Sequence, residues 1–180
     1  MKRKIYININ IPERDKKRLI SAVSDWQDLP IKWTKEPNFH ITLAYLGHVT
    51  DEEIVEVCEK VRAAVSGKEI FDLHFSDVEL NSKTDARIVW LAGEDSQELL
   101  KLQEGIEKGL EIFVSERKTF VPHITLGRIR KKKWEELDLK PEIKKEINFA
   151  VTIESVEVMA SDFENEGEEY SIVESCQLDG

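Results

Sequence analysis

The string His-Ile-Thr-Leu occurs twice in this chain, at residues 40–43 and again at 123–126, 83 positions apart. With 4 His and 7 Thr in 180 residues, about 0.16 His-x-Thr pairs arise by chance, and two arise in roughly one shuffled sequence in a hundred. The flanking Ile and Leu make coincidence rarer still. Each copy lies in an alternating run, Phe39 to Leu46 and Val121 to Gly127, which is the period of a strand. On a strand, residues i and i+2 share a face, so each copy offers an imidazole and a hydroxyl to one side and two aliphatic side chains to the other. A chain with two such strands is constrained to build two similar halves. Where the strands face each other, two imidazoles and two hydroxyls surround one point.

The rest of the chain supplies elements to complete those halves. Ile5, Ile7 and Ile9 alternate with Tyr6 and two Asn, predicting a first strand, and Pro12 suits the opening of a helix towards Trp26. Ile31-Lys32-Trp33 is a short apolar stretch, and Gly47 is read as the end of the strand that carries the first motif. Thr50-Asp51-Glu52-Glu53 is a capping-box pattern, and Ile54, Val57, Cys58, Val61 and Val65 follow at helical spacing. Strands are expected at about 70–80 and 86–92 with turn signals between them. A helix bearing Leu99, Leu102, Ile106 and Leu110 comes next, and one or two strands span Ile147 to Ala160. Glu164 to Glu169 is read as a solvated acidic turn. No Pro/Gly/Ser-rich linker divides the chain. The expectation is an α+β fold, one domain over 1–180 with two similar halves.

Composition narrows the function classes. Acidic residues number 36 against 26 basic ones, a net charge of −10, which argues against a protein that grips duplex nucleic acid through a broad basic face. Cys58 and Cys176 are too few and too far apart for a disulfide framework or a Cys-rich zinc site, and both are expected to be buried. No HExxH, paired CxxC or P-loop pattern appears, so neither metal nor cofactor is expected. The N-terminal strand pattern is not that of a signal peptide, and no stretch has the roughly 18 apolar residues of a membrane span. A cytoplasmic protein with no membrane association is expected.

Paired imidazoles and hydroxyls suit displacement at a phosphate diester. Attack in line with the leaving group requires a base on one side of phosphorus and an acid on the other, and histidine serves either role near neutral pH. Thr hydroxyls can hold the non-bridging oxygens as charge builds on them. On these grounds His40, Thr42, His123 and Thr125 are the candidate catalytic set. His48 and His74 lack a Thr two residues on and are assigned to the surface or to packing.

Duplicated His-x-Thr-hydrophobic motifs in a chain of this size resemble the 2H phosphoesterase superfamily. More closely, Trp33, Phe39 to Leu43 with Leu46-Gly47, Arg87 to Leu91, and Pro122 to Arg128 resemble the RNA 2′,3′-cyclic phosphodiesterases, also called 2′-5′ RNA ligases. The resemblance implies two pseudo-symmetric lobes, each an antiparallel sheet with helices outside, and an active-site cleft between them. It implies metal-free hydrolysis of a terminal 2′,3′-cyclic phosphate to a 2′-phosphate, with ATP-independent 2′-5′ ligation as the reverse chemistry. Partners would be RNA ends or small cyclic nucleotides, handled by a monomer with no obligate protein partner. Neighbouring substrates, such as 2′-5′-linked oligonucleotides or an ADP-ribose cyclic phosphate, fit the same chemistry; a non-catalytic RNA-end binder is the alternative of a different class. His123 is assigned as base and His40 as acid.

Candidate substrate contacts are Arg128, Arg130 and Tyr45. Arg128 matches the family's arginine after the second motif, yet simple alternation turns it away from His123 and Thr125 unless the strand bulges. Arg130 belongs to a basic run, 128–134, that either steers RNA or is a solvated face. Tyr45, like Trp33 and Trp90, either stacks on a base or packs in the core. Ala44 stands where relatives often carry a basic residue.

Overall fold

Two antiparallel sheets meet along the strands that carry the repeat. The computed structural model describes residues 1–113, 119–161 and 170–180, so the acidic run Glu164 to Glu169 lies outside the described residues. In chain order the elements are β1 (Lys2–Asn10), α1 (Glu13–Ala22), β2 (Ile31–Trp33), β3 (His40–Thr50), α2 (Asp51–Val65), β4 (Phe71–Leu80), β5 (Ile88–Gly93), α3 (Gln97–Gly109), β6 (His123–Ile129), α4 (Lys131–Glu135), β7 (Lys144–Ile153), β8 (Ser155–Ser161) and β9 (Tyr170–Gln177). The first sheet has the order β3-β1-β8-β9 and the second β2-β6-β5-β4-β7. β3 and β6, the two motif strands, contact each other across the junction.

Alternation builds both sheets. Ile5, Ile7 and Ile9 are at most 2% exposed and turn β1 into the strand on which β3 and β8 pair. Leu73, Phe75, Val89, Leu91 and Phe149 do the same for the second sheet. The helices cover the outer faces. α2 starts with the expected box: Glu53 N–H donates to Thr50 Oγ1 (3.3 Å) and Thr50 N–H to Glu53 Oε2 (2.8 Å). Its buried stripe, including Cys58, packs towards β3, β8 and β9, and Cys176 is buried on β9.

The halves are interlocked. α1 follows β1 of the first sheet but packs on β7 of the second, where Arg18 donates to Asn148 O (2.7 Å) and lies over the Phe149 ring. α3 follows β5 of the second sheet but packs on β3 of the first. β2 precedes β3 in the chain yet adds to the second sheet as an edge strand beside β6. Among the described residues, no helix is long and apolar enough to cross a membrane.

Gly47 does not end the first motif strand. β3 runs on to Thr50, and Gly47, at φ +69°, flanks a bulge in which Leu46 is the extra residue, between the pairs Ile5 with Gly47 and Tyr6 with Tyr45. A residue with a side chain is strained at that φ, which is why glycine occurs within the strand.

Candidate active site

Both motif strands carry the same irregularity at the same place. In β3, Asn8 pairs with Thr42 and Ile7 with Ala44, so Leu43 is an extra residue. In β6, Trp90 pairs with Thr125 and Val89 with Gly127, so Leu126 is extra. The bulge puts two consecutive residues on the buried side: Leu43 and Ala44 are 3% and 8% exposed, and Leu126 and Gly127 are also buried. Alternation therefore resumes one residue late. Tyr45 and Arg128, five positions after His40 and His123, return to the face of the histidines. Arg128 thus satisfies the condition that simple alternation denied it, and it lines the same pocket as Thr125. Ala44 points into the interior, so a charge at that position would not reach the cleft.

The pocket, about 260 Å³, is lined by His40 and Thr42 from β3 and by Thr125 and Arg128 from β6. His123 is on the same face of β6 as Thr125 and packs its ring on Trp90, centroids 4.8 Å apart, without lining the cavity itself. Each imidazole is fixed in the same way. His40 Nδ1 lies 2.7 Å from Asn38 O, and His123 Nδ1 lies 2.7 Å from Val121 O. A carbonyl only accepts, so Nδ1 carries the hydrogen in both rings and Nε2 is the atom left to exchange a proton. His40 Nε2 is 3.1 Å from Thr42 Oγ1. Burial holds the His123 imidazole below its usual value near 6.5, opposed by its bond to the Val121 carbonyl. A ring so held is neutral at pH 7, with its Nε2 lone pair free to take a proton.

Several lining residues were not singled out from the sequence as site residues. Tyr6, Tyr170, Lys32, Thr34, Lys35 and Asn38 all reach the pocket. Tyr6, Asn8 and Asn10 pair across β1 with Tyr45, Thr42 and His40, so the polar alternation within an otherwise apolar strand was a readable signal of a face turned to the site. Tyr6 contacts the rings of Tyr45 (4.8 Å) and Tyr170 (5.5 Å), and Tyr170 contacts that of His40 (5.7 Å), which makes one wall aromatic. Tyr45 is 46% exposed and extends that wall without lining the pocket. Arg130 does not line it either: its N–H donates to Pro30 O and the residue caps α4. Trp33 lines the pocket and Trp134 is buried. His48 and His74 are exposed. Among the described residues no group of three or more His, Cys, Asp or Glu is arranged to hold a metal ion.

Comparison with known proteins agrees with this architecture. The RNA 2′,3′-cyclic phosphodiesterase of Thermotoga maritima is 29% identical over 186 residues, covering 97% of this chain and 95% of its own. A protein of the same name from Aquifex aeolicus is 26% identical over 160 residues, covering 83% of this chain and 82% of its own. The crystal structure of E. coli LigT complexed with 3′-AMP superposes with a TM-score of 0.81 at 20% identity, over 99% of each chain, which establishes a shared two-lobed fold. The model of the 2′-5′ RNA ligase superfamily matches residues 16–164, and the chain belongs to that superfamily.

Proposed function

We propose that this protein hydrolyses the terminal 2′,3′-cyclic phosphate of RNA to a 2′-phosphate. The observation that carries the reading is the convergence of both His-x-Thr strands on one pocket, each imidazole anchored through Nδ1 to a carbonyl two residues earlier. Full-length relatives that carry the name RNA 2′,3′-cyclic phosphodiesterase support the same substrate class.

In the first step His123 Nε2 takes a proton from water as the water oxygen bonds to phosphorus. The bond from phosphorus to O3′ breaks on the far side, and His40 Nε2 delivers a proton to O3′, leaving the phosphate on O2′. Thr42 and Thr125 donate their hydroxyl hydrogens to the non-bridging oxygens, whose charge is greatest in the pentacoordinate state, and Arg128 offsets that charge. The lowered affinity of His123 for a proton favours it as the base. With the 5′-hydroxyl of a second strand in place of water, the same step joins the strands through a 2′-5′ phosphodiester without ATP as the bond from phosphorus to O3′ breaks; in cleavage of that linkage the two histidines exchange roles, and this ligation is the chemistry after which the superfamily is named.

The test is incubation with 2′,3′-cyclic nucleotides and a short RNA ending in a cyclic phosphate, in EDTA, with 2′- and 3′-phosphate products separated. The 2′-phosphate is expected from the wild type, with none above background from the His40→Ala/His123→Ala double variant. Equal turnover by that variant, or a 3′-phosphate product, overturns the reading.

A further inference from the structure

The wall of the pocket opposite the tyrosines holds more positive charge than a cyclic phosphate can use. Lys32 on β2 and Arg128 on β6 are directly paired across the two strands, and both line the pocket. Cross-strand partners have Cβ atoms about 5 Å apart on the same face, and like charges in that relation repel. Neither side chain makes an ion pair among the described residues. Some cations elsewhere in this acidic chain are neutralised by acids, as are Arg62 by Glu174, Lys145 by Asp25 and Arg87 by Asp85; what sets Lys32 and Arg128 apart is that they are cross-strand neighbours lining one pocket. Two adjacent, unneutralised cations facing a cleft are matched by an anionic ligand that supplies two charges along the β6 to β2 direction. The reacting cyclic phosphate carries one. It is held at Thr42 and Thr125, next to Arg128, whereas Lys32 lies one strand further out.

We propose that Lys32, one strand out from the Arg128 that serves the reacting phosphate, forms a subsite for the phosphodiester on the 5′ side of the terminal nucleotide, which makes an RNA strand, rather than a free cyclic mononucleotide, the preferred substrate. The inference rests on the cyclic phosphodiesterase reading above and adds the residue that distinguishes strand from nucleotide. Geometry gives the strand its path: the terminal base faces the Tyr6 and Tyr170 wall, the cyclic phosphate sits between the motif strands, and the preceding phosphate crosses β6 to β2. Lys35, exposed on the same rim, lies beside that path.

The experiment compares kcat/KM for three substrates: adenosine 2′,3′-cyclic phosphate, its 5′-phosphorylated form, and the dinucleotide ApA ending in a 2′,3′-cyclic phosphate. Wild type, Lys32→Gln and Lys32→Arg are assayed in parallel. The dinucleotide is expected to exceed the mononucleotide by about tenfold in the wild type, the size of one charged hydrogen bond. In Lys32→Gln that advantage falls to about twofold or less, and Lys32→Arg keeps it. The dependence of log kcat/KM on log salt for the dinucleotide becomes shallower by about 0.7 in Lys32→Gln, as for one lost phosphate contact on a single strand. An unchanged ratio in Lys32→Gln, or no dinucleotide advantage in the wild type, overturns the subsite while leaving the phosphodiesterase reading intact. An advantage for the 5′-phosphorylated mononucleotide alone overturns the assignment to a strand and gives the subsite to a free terminal phosphate. Turnover of none of the three, with a folded protein, defeats the underlying reading instead.

Discussion

The strand that carries the first motif lies at the edge of its sheet, whereas the strand that carries the second has neighbours on both sides. Among the described residues β3 pairs only with β1, while β6 lies between β5 and β2. The same four residues nevertheless make the same local geometry in both: histidine anchored to a carbonyl, threonine on the same face, then a one-residue bulge. What differs is how the bulge is supported. In β6, the carbonyl of the extra residue Leu126 accepts from Thr34 N–H (2.8 Å), just beyond β2, and the Thr34 hydroxyl donates to Thr125 O (3.0 Å). In β3 no strand of the described residues is present on that side, and Leu43 O accepts instead from the buried side chain of Gln103 on α3 (3.2 Å). Each bulge is thus held by a group from the other half of the chain. The contrast teaches that the site depends on interlocking: a half could not hold its own motif in register alone.

The position after the extra residue records the same difference. Gly127 in β6 faces Ile31 and Trp33 of β2 so closely that an added Cβ would lie 2.6 and 2.8 Å from their carbons. Its counterpart Ala44 is paired with Ile7 of β1 but, among the described residues, has no strand on its other side, and it keeps a methyl group, 8% exposed. Two positions further from each threonine's bulge the halves diverge in chemistry, Tyr45 against Arg128. One wall of the pocket is therefore aromatic and the other cationic.

The largest effect that would break this picture of equivalent halves concerns the histidines. His40→Ala and His123→Ala should each lower kcat by about 10²–10⁴ with unchanged circular dichroism, and a loss confined to one of them would mean that only one half is catalytic. Next come the positions after the bulges. Gly127→Ala should destabilise the fold by about 1–3 kcal/mol in urea titration, because Ile31 and Trp33 must yield, whereas Ala44→Gly should cost only about 0.5–1 kcal/mol. Equal costs would remove β2 from the explanation. Gln103→Met, which keeps the volume and deletes the donor, should cost about 1 kcal/mol or more and lower kcat on the His40 side of the site; Gln103→Glu should regain activity relative to wild type as pH falls and its carboxyl acquires a hydrogen to donate. Absence of that acid rescue would reduce Gln103 to a packing residue.

The smallest effect is on stability against pH. His123 has its folded-state affinity for protons lowered by burial, so the contribution of the neutral ring is present above its unfolded value near 6.5 and is lost as pH falls. The Tm of the wild type should decline more steeply below that pH than the Tm of His123→Gln.

Much of the site was legible in the sequence because it depends on local patterns. The repeat, the strand period and the i, i+2 relation of His and Thr are enough to bring the candidate catalytic side chains of each strand to one face. The cap of α2 and the buried stripe around Cys58 are local as well. The bulges were not legible, since an extra residue is defined only against a partner strand distant in sequence. Hence Arg128 could be placed on either face, and Gly47 was read as an end when it flanks a bulge within a longer strand. Lys32 and Lys35 escaped for a related reason: β2 leaves its own half and pairs with β6, a connection that no local pattern encodes. Arg130 was grouped with Arg128 by adjacency, but the chain turns into α4 there and leads it away from the pocket.

The central claim is that one half supplies the base and the other the acid to a single phosphate. The most direct test is the pH dependence of kcat/KM on an RNA ending in a 2′,3′-cyclic phosphate, for the wild type and for His40→Ala and His123→Ala at high enzyme concentration. The account predicts a bell for the wild type whose acidic limb lies below about pH 6.5. It further predicts loss of that limb alone in His123→Ala and of the alkaline limb alone in His40→Ala. A bell that survives with both limbs in either variant would contradict it.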